Sequence, residues 1–364
     1  MRLLAATFDA AGNLPPLLGL VEALVARGHE TFVIGHGDQR REIESSGASF
    51  LRFERAPEWA LGAPIAPAPW DVREQLGLLD EGAGPDILEA AARLQPAVVL
   101  VDCMLRGPSE AVKRRGYRTV SLVHALYSFF VEFLDGCFRG PIDESDLALG
   151  LTYAALDPDA EPPPNFAFVG PLRPSAGAAS WRRKHSGKRF VLVSPSSGAQ
   201  STSQWDLWQR VCDALAGLDV EALVTTGRGL DPESLSVGRW TSVERRVPHD
   251  AVLGQADLLI THAGHGTVAV GVRYGVPMLC LPAGADQPFN AASVARLGLG
   301  EALAPSSSSA EIRAAAARML DDAGLRARCR AFAAVVAREP GRERAVELVE
   351  ALAARDEPRG EEAR

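Results

Sequence analysis

The stretch at residues 258–300, LLITHAGHGTVAVGVRYGVPMLCLPAGADQPFNAASVARLGLG, is the most informative part of the chain. It contains two short apolar segments of strand character, each followed by a glycine-containing turn and a helical pattern. The first strand ends at Thr261, and its turn, 262–267, leads into a helix that we expect to begin around Val268. The second strand covers 277–281. Strands that alternate with helices predict a parallel sheet, and open α/β sheets bind ligands beyond the carboxyl ends of their strands.

The first of these two turns has the features of a phosphate-binding turn. Gly264 and Gly266 let a ligand approach the backbone closely, and the start of the helix offers N–H groups and a positive dipole end. His262, His265 and the Thr267 hydroxyl would add donors for diphosphate oxygens. Many α/β proteins use such a turn only to close a corner, so both interpretations stay open on this feature alone.

The second turn places Asp286 and Gln287 at the same edge of the predicted sheet. Their side chains can accept hydrogen bonds from, and donate them to, the vicinal hydroxyls of a sugar. The structural alternative is that Asp286 caps a helix starting at Pro288, which would still leave Gln287 facing the pocket.

Length and composition exclude several classes of protein. The 364 residues suffice for two to three domains of about 100 to 200 residues, and 47% hydrophobic against 23% charged residues is typical of a globular protein. A net charge of -8 argues against nucleic acid as a partner. The N-terminal apolar run, interrupted by Asp9, predicts neither a signal peptide nor integral membrane contact. Five widely spaced cysteines without a CxxC pair argue against a disulfide framework and favour the cytoplasm.

Both halves of the chain alternate strand and helix patterns, which predicts an α/β fold. The first half opens with a strand at 2–8, a Gly/Pro loop, and a helix that ends near Gly28, a residue suited to a left-handed cap. Further strands are expected at 31–34, 97–101, 119–123, 190–194, 222–225 and 258–261, and helices at 108–115, 205–216, 251–255 and from 310 onward. The predicted domains are 1–170 and 188–355, with a linker at 171–187 and a frayed tail at 356–364.

The motifs HAGHGT, YGVPMLCLP, ADQPFNA and LGLG, in this order and spacing, resemble the donor-site signature of the GT-B glycosyltransferases of family 1. The resemblance is to the branch that glycosylates antibiotics, macrolides and other natural products. The segments VLVSPSSG, VTTG and VERRVPHDAVL are also similar to that family, in residues 191–198, 224–227 and 243–253. The resemblance implies two Rossmann-like domains facing each other across a cleft, where a dTDP- or UDP-sugar transfers its sugar with inversion to an apolar acceptor.

The resemblance also assigns roles to residues of the donor site. It implies that His262 and the backbone of 264–267 hold the diphosphate, that Asp286 and Gln287 bind the sugar hydroxyls, and that Ser196 or Ser197 approaches the phosphates. Val247 would meet the nucleobase through its backbone. Arg246 stands where many relatives place an aromatic residue that stacks on the base, and a guanidinium plane can stack in the same way. Whether the base is thymine or uracil stays open.

The clearest departure from the family is Asn13, where many relatives place a histidine that removes the acceptor proton with the help of an aspartate. An amide has no useful pKa and cannot act as a base. Three other residues are candidates for proton removal: Asp9 at the tip of the first strand, Asp102, which matches the orienting aspartate, and His124. Each also has a structural interpretation, as a loop cap, a backbone ligand or a buried strand-end histidine. An acidic acceptor could also need little help.

No resident metal or other cofactor is expected, since the nucleotide sugar is a co-substrate. Asp157 and Asp159 spell the DxD pattern of metal-dependent transferases, but they lie in a Pro-rich segment rather than at a strand end. A helix dipole and a histidine can neutralise a leaving diphosphate instead. Trp59, Trp70 and the stretch 125–138 could line the pocket of a small apolar aglycone.

Two other functions fit the sequence. One is a sugar-nucleotide epimerase of the same fold, which would usually need several acidic groups around the sugar. The other is a non-catalytic auxiliary protein, which Asn13 favours and the intact Asp286–Gln287 pair opposes. The chain is compatible with a homodimer.

Overall fold

The computed structural model describes residues 1–8, 12–57, 72–174, 181–185, 187–195, 204–227 and 229–355. Contacts divide the chain into two compact units. The first contains the described residues up to 174 together with 339–355, and the second contains those from 181 to 338. Several residues with predicted roles lie outside the described residues: Asp9, Trp59, Trp70, Ser196, Ser197 and the tail 356–364.

The first unit is built on one parallel sheet. Its described strands are β1 (Arg2–Ala6), β2 (Glu30–Gly35), β3 (Ser49–Arg52), β4 (Val98–Asp102), β5 (Thr119–Val123), β6 (Leu147–Gly150) and β7 (Phe166–Phe168), in the order β3-β2-β1-β4-β5-β6-β7. Its described helices are α1 (Leu14–Ala26), α2 (Arg40–Ser45), α3 (Val72–Leu94), α4 (Arg106–Arg114), α5 (Tyr127–Glu132) and α6 (Arg139–Asp143). All five residues of β4 and all five of β5 are buried, as expected for central strands of a parallel sheet that is covered on both faces.

The second unit repeats this arrangement. Its described strands are β8 (Arg189–Ser194), β9 (Val220–Thr225), β10 (Thr241–Glu244), β11 (Leu258–Thr261), β12 (Met278–Cys280) and β13 (Gly300–Ala302), in the order β10-β9-β8-β11-β12-β13. Its described helices are α7 (Trp205–Ala216), α8 (His249–Val252), α9 (His265–Arg273), α10 (Gln287–Arg296), α11 (Ser309–Asp321) and α12 (Ala323–Val336).

The first six strands of each sheet follow the Rossmann strand order, in which the chain reverses direction across the sheet between the first and fourth strands. The reversal lies between β1 and β4 in the first unit and between β8 and β11 in the second. The predicted α/β class with two Rossmann-like domains is confirmed. Ligands of such sheets bind outside the carboxyl ends of the strands at this reversal point. Ligand sites are therefore expected at the carboxyl ends of β1 and β4 in the first unit and of β8 and β11 in the second.

The final helix, α13 (Arg342–Ala353), corrects one predicted domain assignment. We expected residues 188–355 to form the second domain, but α13 belongs to the first unit and packs against α1. Its apolar face joins the core of that unit. Glu350 also pairs with Arg27 at 2.7 Å and with His29 at 2.9 Å, just beyond the end of α1.

Two smaller expectations can be compared with the described residues. Gly28 has a φ of +83° at the end of α1, which confirms the predicted left-handed cap. All five cysteines lie in described segments and are free thiols. Within the described ranges, the helices lack the combination of length and apolarity that crossing a bilayer requires.

Candidate functional site

The strand β11 delivers the predicted phosphate turn to the reversal point of the second sheet. β11 lies between β8 and β12, with Thr261 opposite Ser194 on one side and Cys280 on the other. After Thr261 the backbone turns through Ala263, whose φ of +66° is unusual for a residue other than glycine. Gly264 then stands at the N-cap of α9.

Helix α9 begins at His265, three residues earlier than expected. The backbone N–H groups of Thr267 and Val268 already donate to the Gly264 carbonyl, at 3.0 and 3.1 Å, and this extends the helix into the turn. His265, Gly266 and Thr267 therefore form its first helical turn. Gly266 is exposed there, whereas the side chain of His265 is buried.

His262 is held over the start of α9 by a backbone contact. Its ring is buried, and Nδ1 lies 3.2 Å from the Ser194 carbonyl oxygen. Because a carbonyl oxygen can only accept, Nδ1 carries the proton and Nε2 of the neutral ring carries the lone pair. Burial lowers the pKa of His262, while the Ser194 carbonyl and the charge of Asp286 act in the opposite direction. A Cβ at Gly264 would collide with Nε2, so the turn needs glycine at this position.

The side chain of Asp286, which precedes α10 in the sequence, lies at the N-terminus of α9. Its Oδ2 accepts from the backbone N–H of His265 at 3.2 Å and from Nδ2 of Asn290 at 2.7 Å. Helix α10 begins at Gln287, and within the described part of this turn Asp286 makes no side-chain capping bond to it. The structural alternative, in which Asp286 caps a helix starting at Pro288, is therefore wrong.

Asn290 joins the two motifs that the sequence predicted separately. Besides its bond to Asp286, its Nδ2 donates to the Ala263 carbonyl at 2.9 Å, and the residue is only 1% exposed. Sequence analysis missed this role. The signal was available in the i, i+4 spacing of Asp286 and Asn290, which brings two side chains together on a helix.

Gln287 supports its own turn. Its Oε1 accepts from the backbone N–H of Ala283 at 2.8 Å, and its side chain is buried. Ala285, between them, has a φ of +52°. Both motif turns thus contain an alanine in left-handed backbone, a conformation that costs free energy and is held by the surrounding bonds.

The predicted contacts to the nucleobase lie beyond the edge strand β10. Arg246 is exposed and Val247 is half-buried in the segment that leads to α8. His249, at the start of α8, contacts the Ser194 hydroxyl through Nε2 at 3.2 Å. Sequence analysis left His249 out, although it brings a second histidine to the end of β8.

The first unit brings together three of the four predicted catalytic residues. Asn13 directly precedes α1, and its Nδ2 donates to Asp102 Oδ2 at 2.7 Å. Asp102 ends β4, and its Oδ1 accepts from the Met104 backbone N–H at 2.9 Å. His124 follows β5, and its Nδ1 lies 3.5 Å from Asp102 Oδ2. This is ion-pair distance, longer than the roughly 2.8 Å of a charge-assisted hydrogen bond.

Burial differs within this cluster. Asp102 is 3% exposed, and burial raises its carboxyl pKa, while the charge of His124, the Met104 N–H and the Asn13 amide oppose the rise. The His124 side chain is 12% exposed and packs edge-on against Phe130. Of these groups, His124 is the one with more open access to a substrate.

Asp102, Cys103 and His124 also place atoms of metal-ligand type within 4.8 Å of one another. A thiol must lose its proton to bind a metal. Burial and the neighbouring Asp102 charge raise the pKa of the Cys103 thiol well above its ordinary value, which opposes that loss. The cluster therefore suits proton transfer better than metal binding.

Two other predicted features have structural roles in the first unit. Asp157 of the DxD pattern is buried and accepts from the backbone N–H of Ser128, in the first turn of α5, at 2.9 Å. The aromatic residues of 125–138 are mostly buried and pack on each other, with Phe129 and Phe133 stacked at 4.6 Å. Phe133 and several neighbouring positions are half-buried or exposed, so the expectation that this stretch lines an acceptor pocket stays a prediction.

Comparison with known proteins finds similarity over part of the chain. Residues 209–352 match the model of the erythromycin biosynthesis protein CIII-like C-terminal domain. The oleandomycin glycosyltransferase of Streptomyces antibioticus is 34% identical over 197 residues, which cover 53% of this chain and 45% of that protein. Both matches are to proteins of the class that the sequence motifs resemble. The chain spans about half the length of the curated relatives it matches.

Solved structures of GT-B glycosyltransferases share the fold of this chain. The glycosyltransferase of kitacinnamycin aligns with a TM-score of 0.80 at 23% identity, covering 96% of this chain and 98% of that one. A spinosyn rhamnosyltransferase complexed with thymidine diphosphate aligns with a TM-score of 0.78 at 21% identity, covering 96% of this chain and 100% of that one. At these identities the likeness establishes the fold.

Proposed function

We propose that this chain is a cytoplasmic, metal-independent glycosyltransferase of antibiotic biosynthesis. In this proposal it moves a sugar from a dTDP- or UDP-sugar to an apolar natural-product acceptor, with inversion. The observation that carries the proposal is the bridge made by Asn290, which holds the phosphate turn and Asp286 together at the reversal point of the second sheet. Similarity to the oleandomycin glycosyltransferase supports the proposed class of acceptor.

The donor diphosphate is assigned to the N-terminus of α9. Backbone N–H groups and the positive dipole end favour a bound anion there. His262 Nε2 stands over the same turn, and a proton taken up on it would give a charged donor to the leaving diphosphate. Asp286 is assigned to the sugar hydroxyls, next to the phosphates. Arg246 and Val247 are assigned to the nucleobase.

Proton removal is assigned to His124. Asn13 cannot accept the proton, and both carboxylate oxygens of buried Asp102 already accept hydrogen bonds. Asp102 then acts through His124, because its charge stabilises the imidazolium that forms when the acceptor proton arrives. Asn13 is a positioning residue for Asp102. The histidine that many relatives place at position 13 is in this way replaced by one from the end of β5.

The reaction follows from these assignments. The acceptor oxygen, nitrogen or carbon attacks C1 of the sugar from the face opposite the diphosphate, its proton passes to His124, and the bond between C1 and the diphosphate oxygen breaks. The nucleoside diphosphate leaves as an anion stabilised at α9. One displacement without a covalent enzyme intermediate inverts the configuration at C1.

Incubation with dTDP- and UDP-sugars and a panel of polyketide-like acceptors tests the proposal, with mass spectrometry to detect the product and NMR to determine its anomeric configuration. We expect one donor class to give a glycoside of inverted configuration. Asp286→Ala should abolish transfer while circular dichroism shows a preserved fold. Unaltered turnover in that variant, or a product of retained configuration, would contradict the proposal.

Asn13 favours a second candidate, a non-catalytic auxiliary protein, because its amide fills the place of the family base. Calorimetry with uridine and thymidine diphosphate separates the two functions. A scaffold without a donor site should bind neither nucleotide, whereas the transferase should bind at least one. An epimerase would instead isomerise the donor sugar in water without any acceptor.

A further inference from the structure

The N-terminus of α9 already holds a negative charge from the protein itself. Asp286 Oδ2 accepts from the His265 N–H at 3.2 Å, and that N–H belongs to the first turn of the helix. A diphosphate bound at this helix end needs the same region of positive potential. Two anions at one helix end repel each other, so Asp286 and the diphosphate compete for it.

Asn290 sets the position from which Asp286 competes. It donates to Asp286 Oδ2 at 2.7 Å and to the Ala263 carbonyl at 2.9 Å, so the carboxylate is tethered to the turn at whose end α9 begins. Asp286 itself is half-buried and stands one residue before α10, whereas Asn290 is buried inside that helix. The carboxylate therefore has a fixed support and an accessible side.

We infer that Asp286 makes the donor site select the complete sugar nucleotide over the bare nucleoside diphosphate. The inference rests on the proposed function and concerns the same site. Sugar hydroxyls donate to a carboxylate, so a sugar beside the diphosphate draws Asp286 away from the His265 N–H and leaves that donor to the phosphate. A nucleoside diphosphate without a sugar offers Asp286 no such donors and meets its full repulsion.

The consequence concerns the end of the reaction. Once the sugar has moved to the acceptor, Asp286 loses its hydroxyl donors and returns to the His265 N–H. The remaining diphosphate then shares the helix end with a carboxylate, which speeds its departure. Asp286 is thus a specificity-determining residue as well as a sugar ligand.

Calorimetry on the full chain tests the inference with thymidine and uridine diphosphate and with their sugar esters. Asp286→Asn keeps the size of the side chain and removes its charge. We expect bare nucleoside diphosphate to bind about two- to fivefold more tightly to this variant, since a charge at a helix end has an effect of that order. The sugar nucleotide should bind more weakly, so the two affinities move in opposite directions.

Two further variants make the experiment decisive. Asp286→Ala vacates the His265 N–H altogether and should show the same opposite changes, which keeps the test available if the asparagine variant does not fold. Asp213→Asn removes the same charge from an exposed site on α7 and should change neither affinity. Unchanged or weaker binding of bare nucleoside diphosphate by both Asp286 variants overturns the inference and leaves the proposed donor site unaffected. If the unmodified chain binds no nucleoside diphosphate, the proposed donor site falls and the inference falls with it.

Discussion

The pair formed by Asp102 and His124 allows a quantitative prediction about proton removal. At the observed 3.5 Å, an effective dielectric constant of about 20 gives an attraction of about 5 kcal/mol between the carboxylate and a protonated His124. That is equivalent to between three and four powers of ten in rate. The desolvation of Asp102 opposes part of it, so we expect Asp102→Asn to lower kcat by about 10² to 10³.

Replacing the histidine should have an effect at least as large. His124→Gln removes the base itself, for which a loss of about 10² to 10⁴ in kcat is typical. The double variant should be no slower than His124→Gln alone, because Asp102 acts only through the histidine.

Steady-state kinetics across pH, with folding checked by circular dichroism, measures all these effects. His29→Gln is a matched control, because His29 also pairs with a carboxylate in the first unit, Glu350 at 2.9 Å, and should leave kcat unchanged. The reasoning is refuted if His124→Gln keeps full activity. Losses that simply add in the double variant would show that Asp102 acts by another route.

Three further predictions concern the donor site, metals and stability. Asn290→Ala should raise the donor KM about tenfold, because Asp286 and the Ala263 carbonyl lose a shared donor; an unchanged KM would show that the bridge does not position the site. Activity should survive dialysis against EDTA, since the proposed site neutralises the diphosphate with a helix end and a histidine; full loss, restored by a divalent metal, would contradict this. Burial raises the pKa of Asp80 from 3.8 to about 6, so the folded chain binds this proton more tightly and stability falls as pH rises between those values. Asp80→Asn, which can still accept from the Gly107 N–H, should remove that fall and stabilise the first unit at pH 7 by at most about 3 kcal/mol, measured by thermal unfolding from pH 4 to 7.

Most of the strands could be predicted from sequence because buried parallel strands are continuous apolar runs. The expected strand at 119–123 and helix at 205–216 coincide with β5 and α7. The start of α9 was placed too late, because glycine and histidine are weak helix formers and the bonds to the Gly264 carbonyl depend on the turn before them. Local preference decides an element's type more reliably than its first residue.

Site residues could be predicted by type but not by partner. The sequence indicates a carboxylate at position 286 beside a helix end, yet only the packing of α10 against α9 brings it onto the His265 N–H. Likewise Asn13 could be recognised as an unusual residue, whereas its bond to Asp102 depends on β1 and β4 being neighbours in the sheet. Contacts between residues distant along the chain are what local patterns leave undetermined.

The return of α13 to the first unit affects how the protein is made. Ala345, Val346, Val349 and Leu352 complete a core whose other members lie before residue 174, so during synthesis that core stays incomplete until α13 has been made. The described residues of the second unit are all encoded between these two parts. On the ribosome the second unit can therefore fold first, while the first unit stays incompletely folded and accessible to chaperones.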